Sequence, residues 1–195
     1  AMSATVNQAT PTSIASGVVT SKVLVGGTEI SGAYHLLSLV VSLEVNRIPS
    51  AFLYFKDGEA SKQTFEISNI PDFLPGQEIE IKLGYSAQEK RIFKGIITKH
   101  SIKIRPNGSQ LVVECRDKAI KMTLARKSHY FSDQKESEVW EEIIGRYRLQ
   151  KDVTPTTTKY HEVVQYDTTD WDFLLCRTDA YGMVVTTEDG KIKIT

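Results

Sequence analysis

The stretch Gln165 to Val185 reads QYDTTDWDFLLCRTDAYGMVV and holds the signals that begin and end a helix. Thr169, with Asp172 three residues later, resembles a capping box in which Asp replaces the usual Glu. Gly182 stands where a left-handed residue ends a helix. At helical spacing, one face is formed by Trp171, Leu174, Leu175 and Thr178. The stretch therefore predicts an amphipathic helix.

The same stretch places two acids around Trp171, followed by a cysteine and an arginine, and so raises the question of an active site. Asp170 and Asp172 lie two positions apart, which on a helix turns them about 200° from each other. A shared acid and base role is not favoured, and both are interpreted as helix-start carboxylates. Cys176 could be paired with His161 as nucleophile and base. A thiol inside an amphipathic helix, however, lacks the activation of a helix N-terminus or strained turn.

Residues 119 to 195 are predicted to be mixed α and β. Ser137 is expected to cap a helix whose apolar positions are Val139, Trp140, Ile143, Ile144 and Tyr147. Beyond Gly182, two short strands flank Glu188-Asp189-Gly190, which reads as a hairpin turn. Because the pattern stops on a strand, we expect these residues to be the start of a mixed αβ domain in a longer protein.

Residues 17 to 118 follow the two-residue period that is typical of strands. Gly26-Gly27 and Asn107-Gly108 predict tight hairpin turns. Leu36 to Ile48 is expected to be one long strand, with a buried face made of Leu37, Leu39, Val41, Leu43 and Val45. In Glu78 to Tyr85, the side chains expected to share one face are Ile79, Ile81 and Leu83.

Six or so antiparallel strands joined by short turns favour a closed or nearly closed barrel, because closure removes exposed edges. We therefore predict a mainly β chain with an α+β part: a mobile lead-in over residues 1 to 16, an antiparallel β-barrel domain over 17 to 118, and the mixed portion over 119 to 195. Lys118, Lys121, Arg126 and Lys127, near Tyr130 and Phe131, are interpreted as a solvated connector rather than a nucleic-acid site.

Composition excludes several classes of partner. The 24 basic and 24 acidic residues cancel, so no overall field favours nucleic acid or an anionic membrane. The apolar runs are far shorter than the roughly 20 residues of a membrane-spanning helix. The polar N-terminus has no signal-peptide pattern, which favours cytoplasmic synthesis. Two cysteines and four scattered histidines give no metal-ligand spacing, so neither a metal nor another cofactor is expected.

Two separated motifs resemble a known family. The first is Phe65-Glu66-Ile67-Ser68, then Phe73-Leu74-Pro75-Gly76-Gln77-Glu78-Ile79, then Ile92-Phe93-Lys94-Gly95-Ile96-Ile97; the second is Gln165-Tyr166-Asp167-Thr168-Thr169-Asp170-Trp171-Asp172-Phe173-Leu174, followed by Gly182-Met183. In order and distance they resemble the VgrG proteins of type VI secretion and the late-control protein D family of phages, over roughly residues 18 to 195. Where many relatives have Arg-x-x-Glu-x-x-Gly, this chain departs with Arg177-Thr-Asp-Ala-Tyr-Gly182. The positions that carry the resemblance, each with an implied structural role, are Phe73, Pro75, Gly76, Phe93, Gly95, Gln165, Tyr166, Asp170, Trp171, Phe173, Leu174 and Gly182.

The resemblance implies a baseplate hub fold and a structural function without catalysis. Three copies of such a protein form a ring that joins the tail tube of a contractile injection machine to its puncturing spike. Expected partners are two further copies, the tube protein, and spike-tip or effector proteins, and the assembled machine would be secreted or injected. Two alternatives stay open. One is a cell-envelope hydrolase using Cys176 or the Asp pair, and the other is a barrel that binds carbohydrate or single-stranded nucleic acid.

Overall fold

The computed structural model describes residues 19–31, 34–57, 73–85, 88–105 and 108–195. The predicted lead-in over residues 1 to 16 and the motif segment Phe65 to Ser68 lie outside these ranges. The described chain forms two regions, each with its own cluster of buried hydrophobic side chains. One cluster uses residues up to Cys115, and the other begins at Ala119.

The first region is a seven-stranded antiparallel sheet with the order β2-β1-β5-β6-β7-β4-β3. Its strands are β1 (Val19–Val25), β2 (Thr28–Glu29), β3 (His35–Ser42), β4 (Ser50–Asp57), β5 (Glu78–Tyr85), β6 (Gln88–Arg105) and β7 (Gly108–Arg116). The predicted turn at Gly26-Gly27 is confirmed, with φ of +59° and +86° at the two residues. Arg105 pairs with Gly108 in the antiparallel ladder of β6 and β7, and Asn107 of the predicted Asn107-Gly108 turn lies outside the described residues.

The sheet region has one hydrophobic core. Side chains from every strand except β2 and β3 are buried in one cluster: Val23, Ala51, Leu53, Phe55, Ile79, Ile81, Phe93, Ile97, Leu111, Val113 and Cys115, joined by Tyr34 and Phe73. Every ladder of this sheet is antiparallel, so the prediction of a mainly antiparallel β chain is confirmed. Among the described residues, no ladder joins the two edge strands β2 and β3.

Strand β3 differs from its prediction. It ends at Ser42, and a bulge between Leu36 and Ser38 inserts one extra residue opposite β4. The bulge shifts the alternation, so Leu36 packs against the core while Leu37 is 46 % exposed. Of the predicted buried face, Leu39 and Val41 do pack against the core, whereas Leu43 and Val45, beyond the strand, are exposed.

The second region is mixed α and β, as predicted. A 3₁₀ helix (Lys118–Thr123) leads to β8 (Arg126–Lys135), α1 (Glu136–Gly145), β9 (Gln150–Val153), β10 (Lys159–Thr169), α2 (Asp170–Ala180), β11 (Val185–Glu188) and β12 (Lys191–Ile194). Strands β8 and β10 form an antiparallel ribbon, and β12 lies between β11 and β9. The buried cluster includes Met122, Phe131, Val139, Trp140, Ile143, Ile144, Val163, Trp171, Leu174, Val185, Ile192 and Ile194.

Helix α1 begins two residues earlier than the prediction that placed the cap at Ser137. Lys135 is the N-cap residue, and its backbone N–H donates to the carboxylate of Glu138 over 2.8 Å. Ser137 lies in the first turn, where its hydroxyl accepts a hydrogen bond from the Thr156 backbone N–H over 3.1 Å. The serine is thus used for a distant loop rather than for the helix, which sequence alone could not show.

Helix α2 has the predicted ends. The Thr169 hydroxyl accepts a hydrogen bond from the Asp172 backbone N–H over 3.1 Å and donates to the Asp172 carboxylate over 2.6 Å. At the other end, Gly182 has φ of +65°, and its N–H donates to the Asp179 carbonyl over 2.9 Å. The next N–H, from Met183, donates to the Thr178 carbonyl over 3.0 Å, which completes a Schellman motif.

Backbone hydrogen bonds join the two regions. Asn46 accepts from Val185 N–H through its side-chain oxygen over 2.8 Å, and its own N–H donates to the Val185 carbonyl over 2.8 Å. The buried carboxylate of Asp117 accepts from the N–H groups of Ala119 and Gly190, each over 2.8 Å. Burial raises the pKa of Asp117, and the two N–H donors oppose that rise.

Candidate functional site

A buried carboxylate at the start of α2 gathers side chains from four elements. Lys127 Nζ and Tyr147 Oη donate to Asp170 Oδ2 over 2.7 and 2.6 Å. Gln165 Nε2 and Arg146 Nη1 donate to Asp170 Oδ1 over 2.8 and 3.4 Å. The donors come from β8, the end of α1 and β10, so we name these five residues the Asp170 cluster. It ties the ribbon to both helices.

The contacts within the Asp170 cluster determine the protonation states of Asp170 and Lys127. Burial alone would raise the pKa of Asp170, but the hydrogen bonds from Lys127, Tyr147 and Gln165 outweigh it and hold the pKa below its ordinary value. The hydrogen bond to Asp170 raises the pKa of Lys127. Burial raises the pKa of Tyr147, and its bond to Asp170 adds to that rise. The pair is therefore an ionised carboxylate and an ammonium at neutral pH.

This arrangement gives Asp170 a structural role. Its side chain is fully buried, and four donors occupy its two oxygens. It therefore has no free lone pair directed at a solvent-exposed substrate. Asp172 is exposed and engaged with Thr169, so the structure does not bring the two acids together. Their predicted position at the helix start is correct.

The network around Asp170 was not predicted from the sequence. Lys127, interpreted as part of a solvated connector, instead binds the buried carboxylate, and Phe131 is a core residue. Both lie on strand β8, not on a connector. Lys127 and Asp170 are 43 positions apart, and only the pairing of β8 with β10 brings them together.

The second motif divides into buried and exposed positions. Gln165, Trp171, Phe173 and Leu174 are buried. Tyr166 is instead 81 % exposed, next to a bulge where the register of β10 shifts between Gln165 and Thr168. Asp167 has φ of +39° in this bulge, and its N–H donates to the Ser128 hydroxyl over 3.1 Å. The structure thus places Tyr166 outside the core.

The described part of the first motif contributes two core residues and the turn before β5. Phe73 and Phe93 are buried in its core, with the Phe73 ring 5.2 Å from those of both Tyr34 and Phe55. Pro75 and Gly76 form a turn, in which the Gly76 N–H donates to the Ile97 carbonyl over 2.8 Å. Gly95 lies so close to β7 that an added Cβ would stand 2.2 Å from the Arg116 carbonyl oxygen.

The other chemically reactive residues are dispersed. Cys115 is buried in β7, where burial raises its pKa to about 12, while Cys176 is exposed on α2. His161 lies 3.2 Å from Asp133 on the ribbon. Within the described ranges, no three His, Cys, Asp or Glu side chains are grouped so that they could hold a metal ion. No described helix has the length and apolar character needed to cross a bilayer.

Solved structures with the same fold are proteins of phage tails and of type VI secretion. The 43 kDa tail protein of prophage MuSo2 from Shewanella oneidensis is 13% identical, with a TM-score of 0.71 over 91% of this chain and 53% of that chain. The E. coli c3393 protein is described as a type VI secretion component similar to the T4 tail proteins gp27 and gp5. It is 13% identical, with a TM-score of 0.66 over 89% of this chain and 48% of that one.

A third structure is the lidless form of a PdpA-VgrG complex, other forms of which are from Francisella. It is 12% identical, with a TM-score of 0.59 over 90% of this chain and 34% of that chain. At such identities the likeness shows a shared fold. The present chain spans about half the length of the Shewanella and E. coli proteins.

The fold is therefore that of a class of tail and secretion proteins. The model of the family described as the Alg8 N-terminal domain matches residues 15–195, and the chain belongs to this family. No curated protein sequence matches it.

Proposed function

We propose that this chain is a structural part of the baseplate hub of a contractile injection machine. Three copies would form a ring that joins the tail tube to the puncturing spike, and effector or spike-tip proteins would be carried on it. The observation that carries this proposal is the fold, which about 90% of the chain shares with tail and type VI secretion proteins. The protein would be made in the cytoplasm and leave the cell as part of the assembled machine.

Two features of the structure support a building-block role. The hydrogen bonds of Asn46 with the Val185 backbone, and of the Asp117 carboxylate with the Gly190 N–H, hold the sheet region and the mixed region together. Such paired contacts are directional, so they fix one region against the other. The buried carboxylate of the Asp170 cluster is saturated by donors, which favours a structural rather than a catalytic use of the motif.

The mass of the full-length protein in solution tests the hub proposal. Light scattering coupled to gel filtration should give three times the chain mass, and the purified tube protein should co-elute with it. A full-length protein that stays monomeric at every concentration and does not bind tube protein would contradict the proposal. The 195-residue chain should be measured in parallel, because it shows whether these residues alone carry the contact between copies.

An enzyme assay separates the hub from the hydrolase alternative. We propose that the chain catalyses no reaction, so it should release no soluble fragments from purified cell-wall material. Release that is abolished in Cys176→Ala or Asp172→Ala, with an unchanged melting temperature, would establish the hydrolase instead. Both side chains are exposed, so these variants should fold normally.

A further inference from the structure

An open cleft of about 440 Å³ lies where the sheet region meets the mixed region. Its polar wall includes Ser42, Ser50 and Arg116, and its apolar wall includes Ile48, Ile120 and Trp171. None of these residues belongs to the Asp170 cluster. The cleft therefore offers hydrogen-bonding groups on one side and a hydrophobic surface on the other.

The pairing of the strands aligns the three residues of the polar wall. Ser42 pairs with Ser50, and Ser50 pairs with Arg116, so the three residues stand in one row across β3, β4 and β7. Adjacent strands hold such a row at a spacing of about 5 Å. Gly95 lets β6 approach the Arg116 backbone, and the Arg116 guanidinium lies 5.9 Å from the Phe52 ring. The strands thus fix the Arg116 backbone, and the Phe52 ring lies next to its guanidinium.

Among the described residues, Arg116 is the charged side chain of the cleft that has no ion-pair partner. The other two charged residues, Arg47 and Glu44, form an ion pair of 3.2 Å with each other. Within the part of the chain that the structure describes, no carboxylate lies within ion-pair distance of Arg116. A partly buried guanidinium has lost some of its hydration, and a carboxylate in contact with its planar fork would restore the lost hydrogen bonds.

A second cleft, of about 560 Å³, has no apolar wall, since all of its lining residues are polar or charged. There Arg91 pairs with Asp189, and Lys191 lies 3.3 Å from Asp152. Lys94 and Lys193 also line this cleft, and no ion pair joins either of them to a carboxylate among the described residues. Of the two clefts, the one at Arg116 combines an unpaired cation with an apolar wall.

We propose that the cleft at Arg116 binds an extended peptide segment of a partner protein through an Asp or Glu carboxylate. The carboxylate accepts hydrogen bonds from the guanidinium and from the Ser42 hydroxyl, and a neighbouring apolar side chain of the peptide packs on Ile120 and Trp171. A carboxylate matches the single positive charge, whereas a phosphate would bring about two negative charges to it. The proposal is independent of the hub function, since it concerns one copy of the chain.

The test titrates the 195-residue chain with two peptides, acetyl-Leu-Asp-Leu-Val-amide and the same peptide with Asn in place of Asp. Two-dimensional NMR follows the Arg116 Nε and Trp171 Nε1 signals. The Asp peptide should shift both signals, and the Asn peptide should bind about tenfold more weakly, since a charge-assisted bond is lost. Arg116→Gln should weaken the Asp peptide about tenfold, and Arg116→Lys should weaken it less.

Lys103→Gln is the matched control. Lys103 also lies over an aromatic ring of the sheet, 5.8 Å from Tyr54, but it does not line the cleft. Its loss should leave the affinity unchanged. Three outcomes would overturn the proposal: no shift of either signal at about 10 mM peptide, equal binding of the two peptides, or equal weakening by Lys103→Gln and Arg116→Gln. If the Arg116→Gln variant does not fold, the affinity of the Asp peptide is compared between Arg116→Lys and Lys103→Gln. Equal affinities for these two variants would then overturn the proposal.

Discussion

The two regions of this chain are stabilised in different ways. The sheet region buries aliphatic and aromatic side chains along its strands, and its buried carboxylate, Asp117, directly follows the end of β7. The mixed region instead buries Asp170 and Glu136, paired with Lys127 and Arg177. In a sheet, the hydrogen bonds between neighbouring strands satisfy the backbone N–H and C=O groups. Where strand β10 leads directly into helix α2, side-chain contacts stabilise the junction instead. Hydrophobic burial should therefore dominate the first region, and specific polar contacts should add to it in the second.

Trp171→Ala should have the largest effect and tests the hydrophobic part of the mixed region. The indole is 5 % exposed, so its truncation should cost about 3 to 5 kcal/mol of unfolding free energy. Urea denaturation followed by circular dichroism measures this change. Tyr166→Ala is the control from the same motif, because its exposed ring should leave stability within about 0.5 kcal/mol. An unchanged midpoint for Trp171→Ala would show that the indole does not pack in the core.

Asp170→Asn breaks the polar contact that distinguishes the mixed region. The amide keeps the shape but removes the charge that Lys127 and Arg146 face, and we expect a loss of about 2 to 4 kcal/mol. Asp152→Asn is the control, since its exposed pair with Lys191 is worth at most about 1 kcal/mol. If both variants lost the same small amount of unfolding free energy, buried polar contacts would not distinguish the mixed region from the sheet region.

The Asp170→Asn variant also tests a predicted pH dependence of stability. The folded pKa of Asp170 is lowered from 3.8, so its contribution is fully present above the unfolded pKa and is lost as pH falls through the folded pKa. The stability gap between the wild type and Asp170→Asn should be constant above about pH 5 and narrow below the unfolded value. Urea midpoints measured from pH 7 down to about pH 3 test this. A gap that is independent of pH would mean that Asp170 titrates normally.

Gly95→Ala tests the tight packing of the sheet region. A Cβ at this position would stand 2.2 Å from the Arg116 carbonyl oxygen, so β6 and β7 must move apart, at a cost of about 1 to 3 kcal/mol. Gly145→Ala is the control, because nothing lies within 4 Å of the added carbon at that helix end. A thermal melt should show a lower midpoint for the first variant and an equal or higher one for the second.

Asn46→Gly should have the smallest effect and weakens the join between the regions. Glycine tolerates the φ of +58° but removes the oxygen that accepts from Val185 N–H, so the loss should be about 1 kcal/mol. Asn46→Asp keeps that oxygen and should stay closer to the wild type. Hydrogen exchange at Val185 gives a local readout. Unchanged protection in Asn46→Gly would mean that the backbone contact alone holds the join.

Local signals in the sequence predicted the local structure well. The turns at Gly26-Gly27 and Asp189-Gly190, and both ends of α2, follow from residues that stand next to each other in the chain. The bulge in β3 was missed, because alternation cannot show an extra residue that only the partner strand reveals. The contacts of Ser137 with Thr156, and of Lys127 with Asp170, were missed for the same reason: they join residues 19 and 43 positions apart.

The pairing of β12 with β9 sets an order for folding. These two strands run parallel and are about 40 residues apart, and β12 also pairs with β11. Two parallel strands must be joined by a long connection. Closing this connection costs more chain entropy than closing a hairpin, so the parallel pair forms more slowly. The hairpins of the sheet region can form soon after their strands are synthesised. The three-stranded sheet can close only after Ile194 has left the ribosome, so the mixed region should be the last part of this chain to become resistant to proteases.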